Sequence, residues 1–202
     1  MKKLFYVVFL SIFIISCGQK KSTPTEGAAL SDTVAKNADT LLPPKQEEKD
    51  TTAIPVSEMG NGISKFAGAW FDIQFPTAFT VKPSQKSTSS EGYESVFFIS
   101  PDQEVEFYIF SPQWSGEPAD IAFNAATENK TADVIKKDKG KTLHLFTYEA
   151  KDKSYTRSYQ ESTENEETVK WVVGIKYRNQ AAYEKYKNDY LSFKKSLMQY
   201  AD

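Results

Sequence analysis

From residue 70 onward, apolar positions recur in short alternating runs. In Trp70–Phe75 (WFDIQF), Phe71, Ile73 and Phe75 fall on one side and Trp70, Asp72 and Gln74 on the other, the period of a strand. Pro76 ends it. Phe79 to Lys82 predicts a short strand, and SQKSTSSEG (84–92) a polar loop. Tyr93 to Ser100 is apolar on both sides, as a central strand must be, and Glu104 to Phe110 returns after the Pro101-Asp102 turn to make an antiparallel hairpin. Residues 111–117 (SPQWSGE) break the pattern, and Pro118 then suits the first turn of a short helix over Ala119–Ala126. Further strands are predicted at Ala132–Lys136, Thr142–Glu149, Tyr155–Glu161 and Val169–Tyr177. In the last, Val169, Trp171, Val173, Ile175 and Tyr177 share a face, with Lys170 and Lys176 opposite.

The period changes over residues 180–200. Tyr183, Tyr186, Tyr190, Phe193, Leu197 and Tyr200 recur at spacings of three and four, one apolar stripe of an amphipathic helix. Such a stripe needs a sheet face to cover. The expected class is therefore α+β: an antiparallel sheet of about six strands, packed by a long C-terminal helix and a short middle helix.

The run FDIQFPTAFTV, the hairpin VFFISPDQEVEFYIF and the closing YLSFKKSL together resemble the PsbP-like superfamily over about residues 63–200. That resemblance implies an α-β-α sandwich around an antiparallel sheet. It also implies a domain that binds or stabilises protein partners, in bacteria commonly as a lipoprotein. It carries over no ligand residue.

Ahead of this region the chain is of a different kind. Residues 18–62 hold no aromatic residue, whereas 24 of the 28 aromatics lie from Phe66 onward and the other four precede residue 18. A segment rich in Thr, Ser, Pro, Ala, Glu and Lys buries too little apolar surface to offset its ordering entropy. Three segments are expected: 1–16 a signal peptide, 17–62 a disordered tether, and 63–202 one globular domain. As a flexible coil the tether reaches about 35–40 Å.

Lys2 and Lys3, the apolar run Leu4–Ile15, then Ser16 and Cys17 have the parts of an export signal. The run is shorter than the roughly 20 residues of a membrane span. Ile14-Ile15-Ser16-Cys17 resembles a bacterial lipobox, which implies acylation of Cys17 and attachment to membrane lipid, and Gly18 in place of an aspartate favours an outer membrane. Cys17 is the only cysteine, so no internal disulfide can form. Asp32-Thr33-Val34, Asp39-Thr40-Leu41 and Asp50-Thr51-Thr52 match an O-glycosylation pattern, making Thr33, Thr40 and Thr51 candidate sugar sites on an exposed tether.

Composition narrows the chemistry. Without Lys2 and Lys3, 23 basic side chains stand against 27 acidic ones, a net charge of −4, which gives no basis for binding nucleic acid. His144 is the only histidine, so zinc chemistry lacks ligands and a Ser-His-Asp arrangement would have to use that residue. There is no Gly-x-Ser-x-Gly elbow and no phosphate-binding glycine loop. Glu161, Glu164, Glu166 and Glu167 read as a solvated turn, because a calcium loop needs alternating Asp and a central Gly. Trp70 and Trp171 are expected in the core. Trp114, Tyr155, Arg157 and Tyr159 are the candidate partner-binding residues, by the enrichment of aromatics and arginine at interface hot spots.

The pattern as a whole leads to a non-enzymatic, lipid-anchored envelope protein with no cofactor and a protein partner. Two alternatives stand beside it: a carrier with an apolar pocket between helix and sheet, and a hydrolase using His144. A fatty-acid probe fed to producing cells should label the wild-type chain and leave Cys17→Ser unlabelled; equal labelling of the two would refute acylation at Cys17.

Overall fold

The computed structural model describes residues 54–114, 116–164 and 169–200. Val56–Gly60 (β1) and Ile63–Ala67 (β2) form a hairpin, followed by Phe71–Pro76 (β3). Thr80–Pro83 (β4), Ser95–Ile99 (β5) and Val105–Phe110 (β6) lead to a single 3-10 turn at Ala119–Ile121. Four long strands come next: Glu128–Asp138 (β7), Lys141–Ala150 (β8), Thr156–Glu164 (β9) and Val169–Tyr177 (β10). The chain closes with the helix Gln180–Lys195 (α1) and the two-residue strand Met198–Gln199 (β11). All the pairings are antiparallel, in a seven-stranded sheet ordered β4-β5-β6-β10-β9-β8-β7 and a four-stranded sheet ordered β1-β2-β3-β11.

This is the expected α+β class, with differences of detail. The main sheet has seven strands rather than about six, and a second sheet accompanies the helix. Strand pairing starts at Val56, ahead of the boundary expected at residue 63, because Gly60-Asn61-Gly62 forms a tight turn. Its φ angles of 84°, 52° and 73° lie in the left-handed region that glycine and asparagine tolerate best.

The large sheet is apolar on both faces, so each needs a cover. Over one face lie α1 and the small sheet. Val96, Phe98, Val105, Phe107, Ile109, Val173 and Ile175 from the large sheet meet Phe66, Phe71, Ile73 and Phe75 from the small one and Phe193 from α1. Phe98 joins the three layers, with ring centroids 5.9 Å from Phe66, 4.6 Å from Phe75 and 5.3 Å from Phe193. Rings fill the space between helix and sheet: Phe79 packs on Phe107 and Tyr186, and Phe107 on Tyr190 and Phe193. Trp171 is partly buried against this core, as is Tyr183.

The helix begins at Asn179, whose side chain accepts the Ala182 N–H at 2.9 Å, a standard N-cap. It ends at Lys195, short of the stripe's expected limit at residue 200. Ser196 accepts the Gln74 N–H at 2.8 Å, and Met198 and Gln199 then pair with Asp72 and Phe71. Backbone pairing with β3 thus replaces the last helical turn.

The other face carries Tyr108, Phe110, Phe146, Tyr148, Tyr159 and Val172, with Ile121 packed onto them. Residues 111–114 and 116–127, which are irregular, cross it instead of the expected second helix. Among its described residues, only Ala119–Ile121 makes a helical turn. The carbonyls of Ile121 and Ala122 are taken by Arg157 Nη1 and Nη2 at 3.0 and 2.9 Å, rather than by N–H groups farther along a helix.

Gly174 lies beneath the Tyr159 ring, and a Cβ there would stand 2.2 Å from Tyr159 Cδ1 and 3.2 Å from the Ser158 carbonyl oxygen. Removing a glycine from a strand ordinarily gains about 0.5–1 kcal/mol of backbone entropy, but overpacking costs about 1–3 kcal/mol. Gly174→Ala should therefore lower stability to urea, measured by tyrosine and tryptophan fluorescence. A neutral or stabilised variant would refute this packing.

Candidate functional site

On this helix-free face the sheet and its crossing segment enclose an open cleft of about 420 Å³. Strand parity supplies its floor. Glu106 on β6 and Lys176 on β10 are direct cross-strand partners, as are Lys176 and Arg157 on β9. Lys82 enters from β4, and Ile121, Asn124 and Thr127 from the crossing segment. Tyr155, Arg157 and Tyr159, three of the four residues singled out as partner-binding, come together here. Trp114 does not line the cleft; it sits in the crossing segment, 48% exposed.

The wall of the cleft is built on one ion pair. Arg157 Nε donates to Glu128 Oε1 and Nη2 to Glu128 Oε2, each at 2.6 Å, with side chains only 11% and 2% exposed. The bonds to the Ile121 and Ala122 carbonyls and a 3.4 Å contact from Nη1 to the Tyr159 hydroxyl occupy the remaining guanidinium donors. Glu128 also accepts from the Tyr155 hydroxyl at 2.8 Å and from the Asn124 N–H at 3.0 Å. Burial pushes the Glu128 carboxyl upward, but these donors outweigh it and hold the group at about 2. Arg157 and Tyr159 are thus structural parts of the wall: the arginine has no donor to spare and the tyrosine is buried. Burial drives the Tyr159 hydroxyl up to about 12, so it stays protonated at neutral pH.

A second tie lies opposite. Asp120 accepts from the Tyr108 hydroxyl at 2.6 Å and from Ser95 Oγ at 2.5 Å, fixing the 3-10 turn on β5 and β6. Burial, followed by the Asp120 contact, pushes the Tyr108 hydroxyl far above its usual value. Just before that turn, Glu117 pairs with buried Lys170 at 2.7 Å, and Lys170 also lies 3.3 Å from Glu161.

His144 stands elsewhere on the same face. Its Nε2 lies 2.5 Å from Asp133 Oδ1 and its ring packs on Phe146. It borders a separate cleft of about 310 Å³ together with Thr142, Thr163, Glu161 and Lys170. Among the described residues, neither threonine hydroxyl is hydrogen-bonded to His144. Glu161 pairs with Lys170 and Glu164 with Lys141; Glu166 and Glu167 lie outside the described residues, as do Cys17, Thr33, Thr40 and Thr51. Among the described residues, no group of three or more His, Cys, Asp or Glu is placed to hold a metal ion, and no helix is long and apolar enough to cross a membrane.

Glu106, Lys82, Glu128 and Asp120 were not singled out from the sequence. The alternation in EVEFYIF does put Glu106 on the side of Tyr108, but nothing local shows that this side is concave. Glu128 lies in a stretch without strand periodicity, and its partner Arg157 is 29 residues away.

No family model and no curated protein matches the chain. Among solved structures, it is similar to the solution structure of cyanobacterial PsbP (CyanoP) from Synechocystis sp. PCC 6803. The similarity has a TM-score of 0.43 and 9% identity, over 71% of this chain and 96% of that one. A likeness of that degree transfers no site residue, partner or activity.

Two outcomes follow from the ion pair. Arg157→Ala strands a buried carboxylate and should cost about 3–5 kcal/mol in urea unfolding; a loss within error of zero would refute the clamp. Glu128 has a folded pKa below its ordinary 4.5, so its stabilisation is complete above that value and disappears as pH falls toward about 2. Glu128→Gln should accordingly flatten the acid limb of stability over that window. An unchanged slope would show that the carboxylate is not held this way.

Proposed function

We propose that this chain is a non-catalytic binding module of the bacterial cell envelope, tied to membrane lipid through acylated Cys17, which recognises a protein partner with the helix-free face of its large sheet. The anchoring half of this reading rests on the signal-like residues 1–17. The recognition half rests on one observation. The segment crossing that face is pinned by Arg157–Glu128, Asp120 and Lys170–Glu117, yet it presents Trp114 and Phe123 at 48% and 42% exposure.

Large aromatic surfaces on a fixed backbone are what an interface needs, since little ordering entropy is lost on association. Phe123 is further supported from below, its ring 4.9 Å from that of Tyr148. The carrier reading has two candidate places: an open hollow of about 310 Å³ between α1 and the sheet, bordered by Gln160, Trp171, Leu191 and Lys194, and the 420 Å³ cleft on the opposite face. That cleft supports a small-ligand role as the second reading.

Photo-crosslinking residues placed singly at Phe123 and Trp114 in cells should capture the same envelope protein. A crosslinker at Lys187 on α1 should not capture it. Equal capture from both faces, or none from Phe123 and Trp114, would overturn the assignment of this face.

A further inference from the structure

The charges in the cleft that are not used to build it form a pattern of their own. Arg157 and Glu128 neutralise each other with every guanidinium donor engaged. Lys82 and Lys176 then remain against Glu106 and Asp120. The lining is balanced, but these charges are not paired with one another. Asp120 accepts only hydroxyl donors, from Tyr108 and Ser95. Lys176 Nζ rests over the Tyr155 ring, 4.8 Å from its centre. Among the described residues, the Glu106 carboxylate and the Lys82 ammonium group make no hydrogen bond or ion pair.

Glu106 is half-buried on the cleft floor and also borders a neighbouring hollow of about 300 Å³, so both sides of it are open to a ligand. Burial raises its carboxyl, and the Coulomb pull of Lys176, Lys82 and Arg157 opposes this without closing a contact. A half-buried carboxylate beside two ammonium groups that have no ion-pair partner is an incomplete arrangement, and it discriminates among ligands. A lone anion reaching the lysines meets Glu106, and a lone cation reaching Glu106 meets the lysines. A ligand carrying both charges a few ångströms apart satisfies both sets of groups. Phe97 and Tyr155 give its apolar part a surface to lie on.

We propose that Glu106, Lys82 and Lys176 form a recognition site for a small zwitterion, with an ammonium group beside a carboxylate as in a free amino acid. The ammonium sits on Glu106 and the carboxylate bridges Lys82 and Lys176. This goes beyond the protein-partner reading and does not depend on it: the site is tested with the purified chain and small probes alone.

Three probes of one shape separate the charges: L-phenylalanine, 2-phenylethylamine and 3-phenylpropanoate. Binding to the purified full chain in mild detergent, followed by calorimetry and by ligand-observed NMR, should favour phenylalanine over either singly charged probe by at least about tenfold. Glu106→Gln keeps the shape and removes the charge. It should weaken phenylalanine by about tenfold while phenylpropanoate binds as well or better, so that the preference for phenylalanine over phenylpropanoate is largely lost. Should that variant lose its cooperative thermal transition, Lys82→Gln on the exposed strand β4 gives the complementary test, weakening phenylalanine and phenylpropanoate while sparing phenylethylamine.

No phenylalanine binding up to about 10 mM would overturn the proposal. So would equal binding of the three probes to the wild type, or a Glu106→Gln protein that binds phenylalanine as the wild type does.

Discussion

One buried ion pair governs the face of the sheet that no helix covers. Arg157 and Glu128 meet through two 2.6 Å bonds, and the rest of the guanidinium reaches the carbonyls of Ile121 and Ala122. An irregular segment laid over an apolar sheet leaves backbone groups without the regular partners that a helix supplies. Here a side chain from the sheet below supplies them. Arginine suits the task because its planar fork carries several fixed donors and stays charged under all ordinary conditions. The cost of burying two charges is met by the number and quality of the bonds they make.

The two faces of the sheet are solved differently. Over one, rings from α1 and the small sheet close on Phe98 and Phe107, with an open hollow of about 310 Å³ left beside α1 at Gln160, Trp171 and Leu191. Over the other, the cover reaches Ile121 and stops, so aromatic packing gives way to a polar cleft. A pinned polar cover leaves a hollow whose shape is already set. The helix-free face, proposed above for recognition, carries the exposed aromatics Trp114 and Phe123 on its cover and charges without ion-pair partners on its floor.

Much of the fold was legible in the sequence because alternation and three-four spacing are local signals. The strands at 71–76, 95–99, 105–110 and 169–177 and the start of the last helix follow from pattern alone. The parity of Val169–Tyr177 separated Lys176 from the core-facing Val173 and Ile175, as the structure has it. Other features were not legible. The β1–β2 hairpin lies largely in the aromatic-free stretch, every residue of β1 is exposed, and so it shows no apolar alternation. The final helical turn was lost to pairing with β3, some 120 residues earlier in the chain. The middle helix gave way to an irregular segment because Arg157, far along the sequence, takes its carbonyls.

The same division holds for function. Sequence by itself determined the signal-like start, the lone cysteine at its end, the aromatic-free composition of residues 18–62 and the alternation that makes a two-faced sheet, since each is a property of neighbouring residues. It also placed Tyr155, Arg157 and Tyr159 on one side of a strand, by parity. Tertiary structure alone decided that this side is concave, that Arg157 and Tyr159 build the wall, and that Glu106, Lys82 and Lys176 meet on the floor without pairing. Those facts depend on register between strands and on a segment folding back across the sheet, and no local pattern encodes a distance between residues so far apart in the chain.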